Sequence, residues 1–132
     1  MSKKLERAQE LRSGTCGSYN CAQAVLMPTA EDLGMDSETA AKLTQNFGTG
    51  MKLGSTCGAV TGGLMALGLE GADEATVAEY LKIMRERHGG SLNCPDLLKR
   101  NAEQAKMNKK AHCDGMIFES VQLAEELMAK QK

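Results

Sequence analysis

Residues 54–63, with the sequence GSTCGAVTGG, place one cysteine among four glycines just before an apolar run. Ser55 and Thr56 precede the cysteine, and hydroxyl side chains commonly cap a helix by accepting hydrogen bonds from its first free N–H groups. The stretch therefore predicts a helix that runs to about Leu69, with Cys57 in its first turn. The positive end of the helix dipole lies there, where it favours a thiolate.

The glycines of this predicted helix need an explanation, because glycine inside a helix costs about 0.5–1 kcal/mol relative to alanine. Gly58 and Gly62 are four residues apart, so they share one helix face and leave it without side chains. One explanation is that another helix packs closely on this face. The other is that the glycines give a cofactor or a partner thiol access to the Cys57 sulfur.

The composition predicts an all-α fold in a single domain over residues 1–132. Helix-favouring Ala, Leu, Met, Glu and Lys outweigh β-branched residues, which indicates a bundle of six or seven short helices with glycine-rich connections. Lys and Arg total 16 against 17 Asp and Glu, and there is no Trp, so nucleic-acid binding is not expected. The longest apolar stretch, residues 59–69, is interrupted by Thr and Gly and is too short to span a membrane.

Helical periodicity and capping signals give approximate helix bounds. Ser18 is predicted to cap a second helix over about residues 19–33, and Pro28 is expected to kink or end it. In the third helix, the three- and four-residue spacing of apolar residues directs Leu43 to the core. The last helix is predicted over about residues 116–130, with its own apolar face.

The chain has five cysteines, at positions 16, 21, 57, 94 and 113. None has the Cys-x-x-Cys spacing that is typical of zinc ribbons and thioredoxins. Cys57, Cys94 and Cys113 fall at or near predicted helix starts, and Cys21 lies near the start of the second helix, so we expect each to ionise more readily than a free thiol. The first residues lead into no apolar signal core, and we therefore expect a cytoplasmic protein whose thiols are metal ligands or redox groups before structural disulfides.

Four cysteine segments follow one another in an order that can be compared with known patterns. They are NCAQAVL at 20–26, CGAVTGGL at 57–64, CPDLL at 94–98 and Cys113, with FGTGM at 47–51 between the first two. This pattern resembles the C_GCAxxG_C_C family of redox-active proteins, over about residues 13–128. The resemblance implies redox activity or metal-cluster binding by Cys21, Cys57, Cys94 and Cys113, and it leaves Cys16 as an extra cysteine.

A metal centre is the first of three functions that this pattern leaves open. Four thiolates suit an iron–sulfur cluster or, as a second choice, a tetrahedral zinc ion. Gly58 and Gly62 would let such a cofactor lie close to backbone N–H groups, which tune its potential.

A dithiol–disulfide protein without a cofactor is the second function. Cys57 would be the nucleophile and Cys21, or another family cysteine, the resolving thiol, with His88 or His112 assisting deprotonation. The third is a helical scaffold or interaction protein whose cysteines are buried as small apolar residues. An electron carrier, a sensor and an enzyme would use the same cysteines. The redox partner is unknown, and a homodimer is compatible with all three functions.

Overall fold

The computed structural model describes residues 2–13, 19–48, 50–104 and 109–131. Within these ranges the chain forms seven α-helices and no β-sheet, which confirms the all-α prediction. The helices are α1 (Lys3–Arg12), α2 (Cys21–Asp32), α3 (Ser37–Thr44), α4 (Gly58–Leu69), α5 (Glu74–Arg87), α6 (Cys94–Gln104) and α7 (Lys109–Gln131). No helix in the described part of the chain has the length and apolarity needed to cross a membrane.

Helix α2 lies at the centre of the molecule. It contacts α1, α3, α4 and α7, and residues 22–30 are buried. A helix that is buried on all sides needs little amphipathic character, and this one is built mainly from Ala, Val, Leu and Met. Pro28 does not end the helix, which continues to Asp32.

Helix α3 packs on α2 through one narrow stripe. Asp36 caps it by accepting a hydrogen bond from the Thr39 N–H at 3.0 Å. Ala40 and Thr44, four residues apart, are fully buried, whereas Leu43 is 54% exposed. The prediction that Leu43 points to the core was wrong, because this eight-residue helix is too short to bury more than the stripe through residues 40 and 44.

Helix α7 begins by Lys109, well before the predicted start at about residue 116. Its polar first turns hide the helix from a search for apolar periodicity, although His112 is only 2% exposed. Cys113 therefore lies inside the helix, beyond its first turn. The prediction that this cysteine occupies a helix start was wrong.

Candidate cysteine site

Cys21 is the first residue of α2, and a capping box fixes the helix start. The Asn20 side chain accepts a hydrogen bond from the Gln23 N–H at 2.9 Å, and the Gln23 side chain accepts one from the Asn20 N–H at 2.8 Å. Asn20 is thus the cap in place of Ser18, which lies outside the described residues. The reciprocal pair satisfies two N–H groups that would otherwise lack partners, so the backbone that carries Cys21 is held in place.

The Cys21 sulfur lies directly against Gly58 of α4. A Cβ atom added to Gly58 would overlap the Cys21 Sγ atom and would lie 2.8 Å from the carbonyl oxygen of Phe47. Because real Cβ atoms do not approach other atoms so closely, only glycine lets the sulfur reach this position. The helix face that the sequence predicts to lack side chains is occupied here by a thiol.

A short antiparallel bridge joins the segment before α4 to the segment before α6. The Cys57 N–H donates to the Leu92 carbonyl at 2.7 Å, and the Cys94 N–H donates to the Ser55 carbonyl at 2.7 Å. In this register Cys57 and Cys94 are diagonal neighbours on one face of the bridge, a relation in which the residues are typically about 7–8 Å apart. Two cysteines that are distant in sequence are therefore placed near each other, each at the beginning of a helix.

Cys57 occupies the N-cap position of α4 and is 4% exposed. The prediction of a cap at Ser55 or Thr56 was wrong, because both residues belong to the bridge and the helix begins only at Gly58. The cysteine thus stands just before the first helical turn, where the free N–H groups of α4 face it.

Burial raises the pKa of the Cys57 thiol to about 12, and the nearby Cys21 sulfur adds to the increase. The N–H groups of Ala59 and Val60 lower the pKa, although they form no capping hydrogen bond of ordinary geometry, and Cys94 raises it further. The expectation that Cys57 ionises more readily than a free thiol was wrong. The loss of hydration outweighs the favourable end of the helix dipole.

Tyr80 of α5 packs behind this end of α4 and is fully buried. Its hydroxyl donates to the Val60 carbonyl at 3.2 Å, and burial raises its pKa. A Cβ on Gly63 would overlap that hydroxyl, and a Cβ on Gly62 would lie 2.9 Å from the Ala22 carbonyl oxygen. The packing explanation is therefore confirmed at Gly62 and Gly63. Gly58 admits the sulfur of Cys21, and access of a cofactor or thiol to the Cys57 sulfur stays a prediction.

Cys113 is half-buried. Hydrogen bonds of Arg12 link the turn of α7 that carries Cys113 to the segment just before Cys21. The Arg12 Nε atom donates to Asp114 Oδ1 at 2.6 Å, and its Nη1 atom donates to the Tyr19 carbonyl at 2.7 Å. Asp114 directly follows Cys113, and Tyr19 is two residues before Cys21. One arginine thus connects the backbone regions of two family cysteines.

The two histidines lie near each other. The His88 Nε2 atom is 2.8 Å from Glu119 Oε1, and Arg87 donates to the other carboxylate oxygen at 3.0 Å. Burial lowers the pKa of His112, and the proximity of His88 lowers it further. His88 is therefore committed to a carboxylate, and an assisting role for either histidine in thiol chemistry stays a prediction.

Cys21 and Cys94 lie near Cys57, but the described residues do not form a metal site. Among the described residues, no three Cys, His, Asp or Glu side chains are already arranged to hold a metal ion, and no disulfide joins Cys21, Cys57, Cys94 or Cys113. Cys16 lies outside the described residues. Cysteine sulfurs are donors that suit zinc and iron–sulfur centres. Cys21 and Cys94 are also close enough to Cys57 to raise its pKa.

The comparison with family models gives a match over most of the chain. The model described as "Putative redox-active protein (C_GCAxxG_C_C)" matches residues 19–127. This range contains the cysteines at 21, 57, 94 and 113 and leaves out Cys16. No curated protein and no solved structure matches the chain.

Proposed function

The chain belongs to the C_GCAxxG_C_C family, and from that premise we propose that it is a redox protein whose clustered cysteines bind an iron–sulfur centre. Cys21, Cys57, Cys94 and Cys113 would hold the centre for electron transfer or sensing. The observation that carries the proposal is that Cys21 and Cys94 each lie near Cys57 where three helices begin, and that a glycine admits the Cys21 sulfur there.

The charge of a metal–thiolate centre fits this location. Iron–sulfur and zinc centres with four cysteine ligands carry net negative charge, and the starts of α2, α4 and α6 carry the positive ends of three helix dipoles. Backbone N–H groups near the sulfurs would also stabilise the charge and tune a reduction potential. Since zinc has no redox chemistry, membership in a redox-active family favours iron over zinc.

The state of Cys57 supports a metal ligand more than an attacking thiol. A redox nucleophile needs an accessible sulfur with a lowered pKa, whereas Cys57 is 4% exposed and has a pKa of about 12. A bound metal cation would reverse the effect of burial on the pKa of Cys57, because a cation deprotonates the thiols that coordinate it. The same burial then shields the centre from water.

Cys21 and Cys94 lie near Cys57, and the chain itself fixes their positions. Glycine at position 58 provides room for the Cys21 sulfur, and the backbone bridge fixes Cys94 relative to Cys57. When bound, an iron–sulfur cluster would supply one-electron transfer. The protein residues would orient the sulfurs, exclude water and hold the centre at the helix starts.

A dithiol–disulfide function is the second candidate, and the closeness of Cys21 to Cys57 favours it. Two thiols would lose two protons and two electrons to a disulfide substrate and form one S–S bond, and the substrate would leave as two thiols. Either function needs reduced thiols and a redox partner, so we propose a cytoplasmic location.

Anaerobic purification followed by iron, sulfide and zinc analysis with visible spectroscopy tests the proposal. We expect iron and acid-labile sulfide in the wild type and loss of both in Cys57→Ser. Cys16→Ser is the matched control, and it should retain the centre. A colourless, metal-free protein whose thiols cycle with a glutathione redox pair would overturn the metal proposal in favour of the dithiol function. Absence of both properties would leave the scaffold function.

A further inference from the structure

Helix α1 is joined to the rest of the molecule by basic side chains, and Arg12 differs from the others in what it connects. Lys4 pairs with Glu70, and Arg7 pairs with Glu31. Arg12 instead bonds the Asp114 carboxylate on α7 and the Tyr19 carbonyl just before α2. It therefore holds two separate chain segments at once.

The Arg12 contacts are of a strong kind. The Nε–Oδ1 distance to Asp114 is 2.6 Å, and the side chains of the pair are 17% and 20% exposed. Charge-assisted hydrogen bonds in partly buried places are stronger than neutral ones, and the planar guanidinium can serve two acceptors in a fixed geometry. The contacts thus limit how far the two segments can move apart.

We propose that Arg12 is a positioning residue that sets the separation of the Cys21 and Cys113 thiols. Its two acceptors lie two residues before Cys21 and one residue after Cys113. The bridge and Gly58 place Cys94 and Cys21 near Cys57, whereas Cys113 lies inside α7, and Arg12 links its turn to the segment before Cys21. The importance of this link for a metal centre rests on the proposed function.

Arg7 provides a matched control on the same helix. It forms two hydrogen bonds to the Glu31 carboxylate, with N–O distances of 2.9 and 3.1 Å, and a third to Glu10 of its own helix at 2.6 Å. Glu31 lies near the end of α2 opposite to Cys21. Arg7→Gln therefore removes a comparable ion pair between α1 and the far end of α2.

The first measurement is thiol cross-linking in the reduced, metal-free, full-length protein. A short bis-thiol reagent such as dibromobimane is added, and the Cys21–Cys113 product is quantified by mass spectrometry. We expect Arg12→Gln to lower the yield of this product at least about threefold, because conformers in which one reagent can reach both thiols become less populated. Arg7→Gln should leave the yield unchanged. Equal yields in wild type and Arg12→Gln would overturn the proposal.

Two conservative variants separate positioning from general stability. Asp114→Asn keeps the Tyr19 contact and weakens the tie to α7, so it should lower the cross-link yield less than Arg12→Gln does. Arg12→Lys retains the charge and should recover part of the yield. The melting temperature of each variant is measured as well. If the cross-link yield falls in proportion to the loss of thermal stability in all the variants, including Arg7→Gln, a positioning role is contradicted.

Cobalt(II) titration of the same variants adds a spectroscopic measurement. Loss of a supporting contact typically weakens metal binding about 10–100-fold, and we expect Arg12→Gln to do so with weaker thiolate-to-cobalt absorption. Arg7→Gln should match the wild type. If the wild type binds no cobalt, the metal proposal is contradicted, while the cross-link yields still decide the role of Arg12.

Discussion

The two ends of α4 use glycine for different reasons. At the first end, Gly58, Gly62 and Gly63 each have another part of the molecule in the space that a side chain would take. At the last turn, Gly68 has nothing within 4 Å of an added Cβ, and the neighbouring Leu69 is 42% exposed. The first three glycines are therefore needed by contacts, and the fourth is not.

This difference shows that the free-energy cost of glycine in α4 is offset only at the end that packs against Cys21, α2 and Tyr80. Each helical glycine costs about 0.5–1 kcal/mol relative to alanine. At the first end the sulfur of Cys21, the backbone of α2 and the hydroxyl of Tyr80 fill the space and gain contacts. Substitutions of glycine at the two ends of α4 should therefore change the stability of the protein in opposite directions.

Gly58→Ala should have the largest effect. The added methyl group meets the Cys21 sulfur and the Phe47 carbonyl oxygen, and backbone cannot move aside easily. Overpacking of this kind costs roughly 3 kcal/mol of unfolding free energy, which urea denaturation would measure. A variant with wild-type stability and an unchanged reactivity of Cys21 would contradict the close approach.

Gly63→Ala should lower the free energy of unfolding by roughly 2 kcal/mol, because the new methyl group overlaps the Tyr80 hydroxyl. Tyr80→Phe removes that hydroxyl at the cost of its hydrogen bond to Val60. The double variant should therefore be more stable than the sum of the single effects predicts, as a double-mutant cycle would show. Strict additivity would contradict the proposed contact.

Alkaline pH should destabilise the reduced, metal-free protein through Cys57. Its pKa rises from 9.0 to about 12 on folding, so the unfolded chain loses its proton first and binds fewer protons above pH 9. The stabilisation is complete below pH 9 and is lost as pH rises toward 12. Between pH 9 and 10.5 the loss is about 1.5 kcal/mol.

Cys57→Ala isolates this contribution to the pH dependence. Its free energy of unfolding should fall less steeply over the same pH interval, whereas Tyr80→Phe removes only the separate contribution of the buried tyrosine. Parallel pH profiles for wild type and Cys57→Ala would show that the Cys57 thiol is not buried as described.

Gly68→Ala should have the smallest effect and the opposite sign. The site is open and the backbone is helical, so alanine should stabilise the protein by about 0.5–1 kcal/mol. Thermal denaturation would detect the change, and iron binding should be unaltered. Destabilisation by this variant would remove the distinction between the two ends of α4.

The all-α fold could be predicted from composition and periodicity, because these properties are local. A cap can be predicted where a capping residue directly precedes a regular helix, as Asp36 does. It was misplaced at α4, because Ser55 and Thr56 are used by a bridge to residues 92–94 that are far away in sequence. Nothing in the local pattern signals that pairing.

The cysteines of the site could be named from the sequence, but their chemical state could not. A position at a helix start favours the thiolate of Cys57 and so predicts a lowered pKa. Burial in the folded protein raises the pKa instead, and the sequence does not show that burial. The contacts of Arg12 with Tyr19 and Asp114 also escape sequence reasoning, since an arginine on a charged helix face gives no sign of its partners. An expectation of long-range contact would need covariation between such positions.

Alkylation of individual cysteines with and without iron and sulfide tests the central claim most directly, because it asks whether distant sulfurs join one centre. Cys57 is already buried in the metal-free protein, so the half-buried Cys21, Cys94 and Cys113 are the informative thiols. We expect all three to react in the metal-free protein, to become protected together after anaerobic reconstitution, and to react again after chelation. Equal alkylation rates for these thiols before and after reconstitution would contradict it.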